Sequence, residues 1–168
     1  MKNTYLSIIC LLLLMAGCSI SYKFNGASID YTKVKTIAIS DFPNQAPMVY
    51  APLSQVLTEQ VKDYYQKQTR LELVKVNGDL SLEGEIIGYQ LTPLAVKEDA
   101  YASETRLTIA VRVRYTNKSK PEEDFEQTFT AHREFDSNLM LQNVQDELCD
   151  EIVEEIVDNI YNATVANW

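Results

Sequence analysis

The sequence predicts an α+β fold: a single-layer mixed sheet of four or five strands with two helices packed on one face. Two segments, near residues 53–68 and 140–162, have the apolar spacing of amphipathic helices. Residues 79–91, 106–115 and 125–135 alternate apolar and polar side chains, as strands with one buried face do. Such a sheet needs cover on its apolar face, and the two helices can supply it.

The first strand and the first helix are separated by a proline-rich loop. Residues 33–40, KVKTIAIS, are apolar enough for a largely buried strand, and residues 41–52 contain three prolines. Pro52 suits the first turn of a helix, where its missing N–H costs nothing. The helix then turns one apolar stripe to the core, formed by Leu53, Val56, Leu57, Val61, Tyr64 and Tyr65.

Asn77-Gly78 is the strongest short hairpin signal in the chain. It predicts that residues 71–76 pair with the strand at 79–91. One face of that second strand carries two glycines, which would let a helix lie close against it. The residues of this face are Leu80, Leu82, Gly84, Ile86 and Gly88. Residues 92–103 are expected to form a loop.

The two strands that follow are predicted to pair around a turn near Lys120-Pro121. A register in which paired residue numbers sum to about 240 sets Arg114 opposite Glu126 and Arg106 opposite Glu134. The apolar faces then coincide, and they carry Leu107, Ile109, Val111, Val113 and Tyr115 on one strand and Phe125, Phe129 and Phe135 on the other. This agreement of both faces supports the register.

The last helix has one apolar side and many acidic residues on its other sides. Its apolar residues are Leu141, Val144, Leu148, Ile152, Ile156 and Ile160. Cys149 flanks this stripe and is interpreted as a small buried hydrophobic residue. The acidic side is interpreted as a solvated face, because no oxygen-rich loop with a turning glycine accompanies it to bind calcium.

The N-terminus reads as an export signal that ends at a lipidated cysteine. Lys2 precedes an apolar run too short to cross a bilayer, and the run ends in Met15-Ala16-Gly17-Cys18. This arrangement resembles the bacterial lipobox, in which the cysteine thiol is acylated and the chain is cut just before it. We therefore expect a cleaved signal at 1–17, a lipid-anchored linker at 18–32 and one domain at 33–168.

Cysteine usage and charge exclude several classes of function. Cys10 leaves with the signal and Cys18 is acylated, so Cys149 has no partner for an intramolecular disulfide. The net charge of −9 becomes −10 when Lys2 is removed, which argues against a nucleic-acid partner. His132 is the only histidine, and no nucleophile, phosphate loop or metal-ligand spacing accompanies it. We expect that the protein is not an enzyme and has no catalytic residue, no metal site and no cofactor. The only expected non-protein groups are the diacylglycerol and the N-acyl chain, such as palmitate, on Cys18.

Five basic residues and no acidic residue occur between Thr105 and Lys120, and all five share one parity. They are Arg106, Arg112, Arg114, Lys118 and Lys120. Their side chains could hold the phosphates of an anionic lipid, or glutamates on the neighbouring strands could neutralise them. These glutamates are Glu83, Glu85, Glu122 and Glu126. Both interpretations stay open, because a ligand phosphate could replace a carboxylate.

Several stretches together resemble the LptE family, the lipopolysaccharide-assembly lipoproteins of Gram-negative outer membranes. They cover nearly all of the chain after Cys18, in order. They are YKFNGASIDYTKVKTIAISDFPNQAP, TEQVKDYYQKQTRLELV, GDLSLEGEIIGYQLTPLAV, RLTIAVRVRYTNK, FEQTF and DELCDEIVEEIVDNIYNATVANW.

The resemblance implies an α/β sandwich anchored by its lipid to the periplasmic side of the outer membrane. It implies insertion as a plug into the β-barrel translocon LptD, help in assembling that barrel, and contact with lipopolysaccharide. Basic residues at strand ends and loops would make that contact. The candidates in this chain are Lys97, Arg106, Arg112, Arg114 and Lys118.

A second function remains open. The chain could be a free-standing periplasmic lipoprotein that binds a small ligand or lipid as an accessory subunit of a transporter. That function predicts a deep apolar pocket between the helices and the sheet, whereas the plug function predicts a complex with a large outer-membrane protein.

Overall fold

The computed structural model describes residues 29–94 and 104–165, which form five strands and two helices. Cys18, Lys97 and the predicted boundary at residue 17 lie outside this part. The structure does not test the predicted boundary at residue 32. The strands are β1 Thr36–Ile39, β2 Glu72–Val74, β3 Leu80–Pro93, β4 Glu104–Asn117 and β5 Phe125–Asp136. The helices are α1 Pro52–Gln68 and α2 Leu141–Thr164, and a 3₁₀ turn, Pro121–Glu123, joins β4 to β5.

The five strands form one mixed sheet in the order β2-β1-β3-β4-β5. β1 is parallel to both β2 and β3, and the β3–β4 and β4–β5 pairs are antiparallel. The helix between β1 and β2 makes a βαβ unit, which is how parallel neighbours are usually connected. The predicted α+β class with a mixed sheet is confirmed.

Both helices pack on the same face of the sheet and enclose one apolar core. Their buried stripes meet the inward residues of β4, which are between 0% and 2% exposed. α1 begins at Pro52, as predicted, and the Tyr65 hydroxyl hydrogen-bonds with that of Thr164 where the two helices meet. Cys149 is buried in the same core, and burial raises the pKa of its thiol to about 11, so the sulfur stays protonated.

The pairing of β4 with β5 follows the predicted register residue by residue. Arg114 lies opposite Glu126, and Arg106 lies opposite Glu134. Phe129 and Ala131 are buried, while Phe125 and Phe135 at the two ends of β5 are half-buried. Loop length and the match of both faces were therefore enough to fix this half of the sheet.

The predicted hairpin at Asn77-Gly78 is wrong. β1 lies between β2 and β3, and all three strands run in the same direction. The short connection from β2 to β3 instead crosses β1, and Gly78 is packed against the β1 backbone. Asn77 does take the left-handed conformation, with φ 59°, so the dipeptide marks a tight change of direction but not a two-strand hairpin.

The expected role of the β3 glycines is also wrong. The ring of Phe42, from the loop after β1, occupies the space beside Gly84, where an added Cβ would lie 2.5 Å from Phe42 Cε1. The β3–β4 register shifts between Ile86 and Gly88, so Gly88 no longer shares the face of Leu80. Tyr89 takes the inward position after this bulge. β3 also runs on to Pro93, beyond the predicted start of the loop at residue 92.

The Asp79 carboxylate fastens the start of β1 to the start of β3. Its Oδ2 accepts hydrogen bonds from Lys35 N at 2.8 Å, from Thr36 N at 3.0 Å and from Thr36 Oγ1 at 3.0 Å. Thr36 Oγ1 in turn accepts from Asp79 N at 2.9 Å. The backbone N–H groups, that of Lys35 first, lower the pKa of Asp79 from its ordinary value of 3.8, because they stabilise the charged form.

We expect Asp79→Asn to reduce the free energy of unfolding by about 1–2 kcal/mol at pH 7, since a neutral amide accepts these bonds more weakly. A lowered pKa means that the stabilisation is complete above pH 3.8 and is lost as the pH falls through the native value below it. Urea unfolding at pH 7 and at pH 3 measures both effects. The difference between the two proteins should shrink at the lower pH.

Glu122→Gln is the matched control, because Glu122 is exposed in the turn before β5. It should leave the unfolding free energy within about 0.5 kcal/mol of the parent. A pH-independent loss in Asp79→Asn would contradict the charge-based explanation and would point to packing instead.

Candidate functional site

The candidate site is the polar face of the sheet, opposite the helices. Its centre is built by β3, β4 and β5, whose side chains alternate between the two faces. The register places Arg114 between Glu83 on β3 and Glu126 on β5. In the next row of this face, Arg112 lies between Glu85 and Thr128. We call these two rows the arginine-glutamate lattice.

Each arginine of this face donates two hydrogen bonds to a single carboxylate oxygen on a neighbouring strand. Arg114 Nε and Nη2 donate to Glu126 Oε2 at 3.3 and 3.2 Å. Arg112 Nε donates to Glu85 Oε1 at 3.1 Å, and its Nη2 donates to the same oxygen. Arg106 Nε and Nη2 donate to Glu134 Oε1 at 3.1 and 2.6 Å.

The structure does not bring all the predicted lipopolysaccharide contacts together. Arg112 and Arg114 are neighbours, but Arg106 lies six residues before Arg112, about 20 Å along β4. Lys118 follows the end of β4 and donates from Nζ to Asn77 O at 3.1 Å, at the β2–β3 connection. Lys97 lies outside the described residues. The face therefore offers one pair of arginines, not a continuous basic stripe.

The lattice carries more negative than positive charge. Glu83, Glu85 and Glu126 surround Arg112 and Arg114, and Glu83 makes no ion pair within the described residues. The five side chains line a shallow depression of about 290 Å³ together with Pro43 and Gly84. Because an anion must enter this depression past three carboxylates, any anion-binding capacity depends on moving some of them.

The sequence indicated Glu85 as a glutamate near the arginines, but it did not identify Arg112 as the partner of Glu85 or the ion pairs of Arg133. Arg112 pairs with Glu85 across β3 and β4, whose register could not be derived because of the bulge after Ile86. Arg133 lies on the opposite face of β5, where its Nε donates to Glu151 at 2.9 Å and its Nη1 donates to Glu155 at 2.6 Å. This pair of contacts fastens α2 to the sheet, and the parity of Arg133 was the available signal for it.

The remaining polar groups show no arrangement for chemistry in the described part of the chain. His132 is exposed on β5, as the alternation predicts. No group of three or more His, Cys, Asp or Glu side chains within 29–94 and 104–165 is placed to hold a metal ion. The Asp146 carboxylate accepts a hydrogen bond from Tyr50 and raises the pKa of that phenol to about 12, so Tyr50 stays neutral.

A small, partly enclosed cavity lies at the end of the sheet where β3 begins and β4 ends. Its volume is about 60 Å³, and Ile29, Val34, Leu80 and Tyr115 supply much of its lining. A water molecule occupies about 30 Å³ in the liquid, so this space holds about two waters. It is much smaller than the pocket of a typical small-molecule site.

These features define a class of protein: a small α+β domain with a one-sided helical layer and a polar, ion-paired sheet face. The family model described as LptE, lipopolysaccharide-assembly, matches residues 34–164. The chain therefore belongs to the LptE family, as its sequence resemblance suggested. Comparison with curated proteins finds no match.

Solved structures share the fold at low sequence identity. A minor lipoprotein from Acinetobacter baumannii has 15% identity and a TM-score of 0.53, with 80% of this chain and 94% of that chain covered. Protein XCC0632 from Xanthomonas campestris has 12% identity and a TM-score of 0.56, with coverages of 79% and 84%. The hypothetical protein CT253 from Chlamydia trachomatis has 12% identity and a TM-score of 0.54, with coverages of 80% and 99%. Neither helix of the described residues is long and apolar enough to cross a membrane.

Proposed function

We propose that this protein is a lipid-anchored subunit of the lipopolysaccharide export machinery that plugs the LptD β-barrel, helps the barrel assemble and contacts lipopolysaccharide in transit. The family match over residues 34–164 is the observation that carries the proposal. The acylated Cys18 would hold the domain on the periplasmic side of the outer membrane, with two or more acyl chains giving stable attachment.

The polar sheet face has the properties that a plug needs. The lumen of a large barrel is polar and hydrated, so a domain inside it must present charged and hydroxyl groups that tolerate water. The arginine-glutamate lattice and the exposed Thr128, Thr130 and His132 supply such a surface across β4 and β5. The helices, by contrast, bury their apolar stripes against the sheet, so the fold needs no partner to complete its core.

The alternative function, an accessory subunit with its own small ligand, lacks the feature that it requires. It predicts a deep apolar pocket between the helices and the sheet, but core side chains fill that space among the described residues. The cavity near Ile29 does reach Thr164 at the end of α2, but its volume of about 60 Å³ holds only about two waters. We therefore favour the plug function.

A mild-detergent pull-down through a tag placed after Trp168 tests the proposal. We expect the lipidated protein to recover the LptD barrel in about one-to-one stoichiometry, because a plug is enclosed by its partner. Quantitative mass spectrometry of the eluate gives the ratio, and loss of barrel levels after depletion of this protein tests the assembly role.

An unrelated outer-membrane lipoprotein carrying the same tag is the control for detergent carry-over. Reproducible absence of the barrel from the eluate, with the bait present and lipidated, would contradict the plug function. Recovery of inner-membrane transporter subunits instead would favour the accessory-subunit function.

A further inference from the structure

Arg112 and Arg114 form a guanidinium pair that two carboxylates occupy. They are two residues apart on the same face of β4, about 7 Å along the strand. Glu85 holds Arg112 from the β3 side, and Glu126 holds Arg114 from the β5 side. Each contact uses one carboxylate oxygen, and neither guanidinium makes another hydrogen bond within the described residues.

These ion pairs are exposed enough to exchange. The side chains of Arg112 and Glu85 are 48% and 34% exposed, and those of Arg114 and Glu126 are 62% and 49% exposed. Water screens such pairs, and each is worth at most about fivefold in an equilibrium constant. Releasing the carboxylates into solvent is therefore inexpensive.

A phosphate group is the natural competitor for this position. Its oxygens match the planar fork of donors on a guanidinium and carry more charge than a carboxylate does. Two arginines about 7 Å apart can bind one phosphate between them or one phosphate each. Glu83, which lies opposite Arg114, remains after exchange and repels any anion, so the attraction of the two guanidinium groups must exceed this repulsion.

We propose that Glu85 and Glu126 mask a phosphate-binding site on the sheet, and that the phosphates of lipopolysaccharide displace them from Arg112 and Arg114. This inference rests on the proposed function, since it names how the exported lipid engages the plug. Masking keeps the arginine pair neutralised inside the barrel until a highly charged lipid arrives. It also explains how an acidic domain can bind an anion: the carboxylates are displaced ligands and not permanent barriers.

The test measures binding of the mature chain to lipopolysaccharide in detergent micelles at low salt. Glu85→Gln/Glu126→Gln should bind about five to ten times more tightly than the parent, because the competing charges are gone while the side-chain shapes remain. The gain should shrink as salt is added. Adding Arg112→Gln and Arg114→Gln to this variant should abolish the gain in affinity.

Glu147→Gln/Glu154→Gln is the matched control, because it changes the net charge equally at exposed positions of α2. Its affinity should stay within about twofold of the parent, as expected for charges that do not contact the site. Equal tightening in this control, or none in the lattice variant, overturns the masking. If the lattice variant binds no more tightly than the parent but the parent itself binds, the proposed function is unaffected.

Absence of binding in every variant overturns both the masking and the direct lipid contact. The pull-down of the barrel then tests the plug function separately. Binding that appears only in Glu85→Gln/Glu126→Gln would contradict the displacement, because the lipid would then fail to exchange with the two carboxylates of the parent. A thermal unfolding curve for each variant confirms that the exposed substitutions leave the domain folded.

Discussion

Gly78→Ala is expected to reduce the free energy of unfolding by about 3 kcal/mol, because the new methyl group would enter the β1 backbone. An added Cβ would lie 2.5 Å from Ala38 N, 2.6 Å from Leu80 O and 2.9 Å from Ile37 C. Backbone atoms inside a sheet cannot move aside as the end of a flexible side chain can. Urea unfolding of the variant and the parent at neutral pH measures the loss, provided that the free energy falls with urea concentration at the same slope in both proteins.

Two further substitutions, one to glycine and one from glycine, provide the controls. Asn77→Gly should change the free energy by no more than about 0.5 kcal/mol, since glycine adopts the left-handed conformation of Asn77 without strain. Gly88→Ala should cost less than Gly78→Ala, because its nearest neighbour is the Ala110 methyl group at 3.1 Å. Similar losses at Gly78 and Gly88 would contradict the close crossing over β1.

The contrast between Gly78 and the β4–β5 pair explains which parts of the fold are predictable. β4 and β5 are consecutive and joined by a short turn, so alternation and turn position fix their register together. Arg114 and Glu126 follow from that register alone. The helices are equally local, because the spacing of apolar residues within each one determines its buried side.

The insertion of β1 between β2 and β3 is not a local property. Asn77-Gly78 indicates a tight change of backbone direction, but a dipeptide does not indicate which strand lies between the two strands that flank it. β1 is short and buried, with Ile37 and Ala38 at 0% and 6% exposure, so pairing on both edges satisfies its backbone. Only the three-dimensional competition for those edges decides the order.

The ion pairs of the candidate site also divide into those that local sequence patterns predict and those that depend on distant strands. Arg106–Glu134 and Arg114–Glu126 were predicted, but Arg112–Glu85 was not, since it depends on β3 and β4. Those strands are joined by a long connection, and their register changes at the bulge after Ile86. A one-residue shift there moves later side chains to the other face, and alternation within either strand cannot reveal it.

Cys18→Ala is expected to remove the protein from the outer-membrane fraction almost completely, to below about a tenth of the parent level. Alanine has no thiol to acylate, and stable membrane attachment needs more than one acyl chain. The precursor would remain uncut or would yield a soluble form. Sucrose-gradient fractionation gives the location, and the mass of the intact protein reports whether the lipid is present.

Cys149→Ala separates the role of the anchor from that of a cysteine in the fold. Cys149 is 1% exposed in the core, so its loss should cost about 1 kcal/mol of unfolding free energy while the lipid and the membrane location stay unchanged. Cys18→Ala should instead remove the lipid and the membrane location and leave the free energy of unfolding unchanged, since the predicted domain begins at residue 33. Normal recovery of Cys18→Ala in the outer-membrane fraction would rule out the lipid anchor. Loss of barrel capture by Cys18→Ala, with an unchanged unfolding midpoint, would show that the lipid anchor delivers an already folded domain to the barrel.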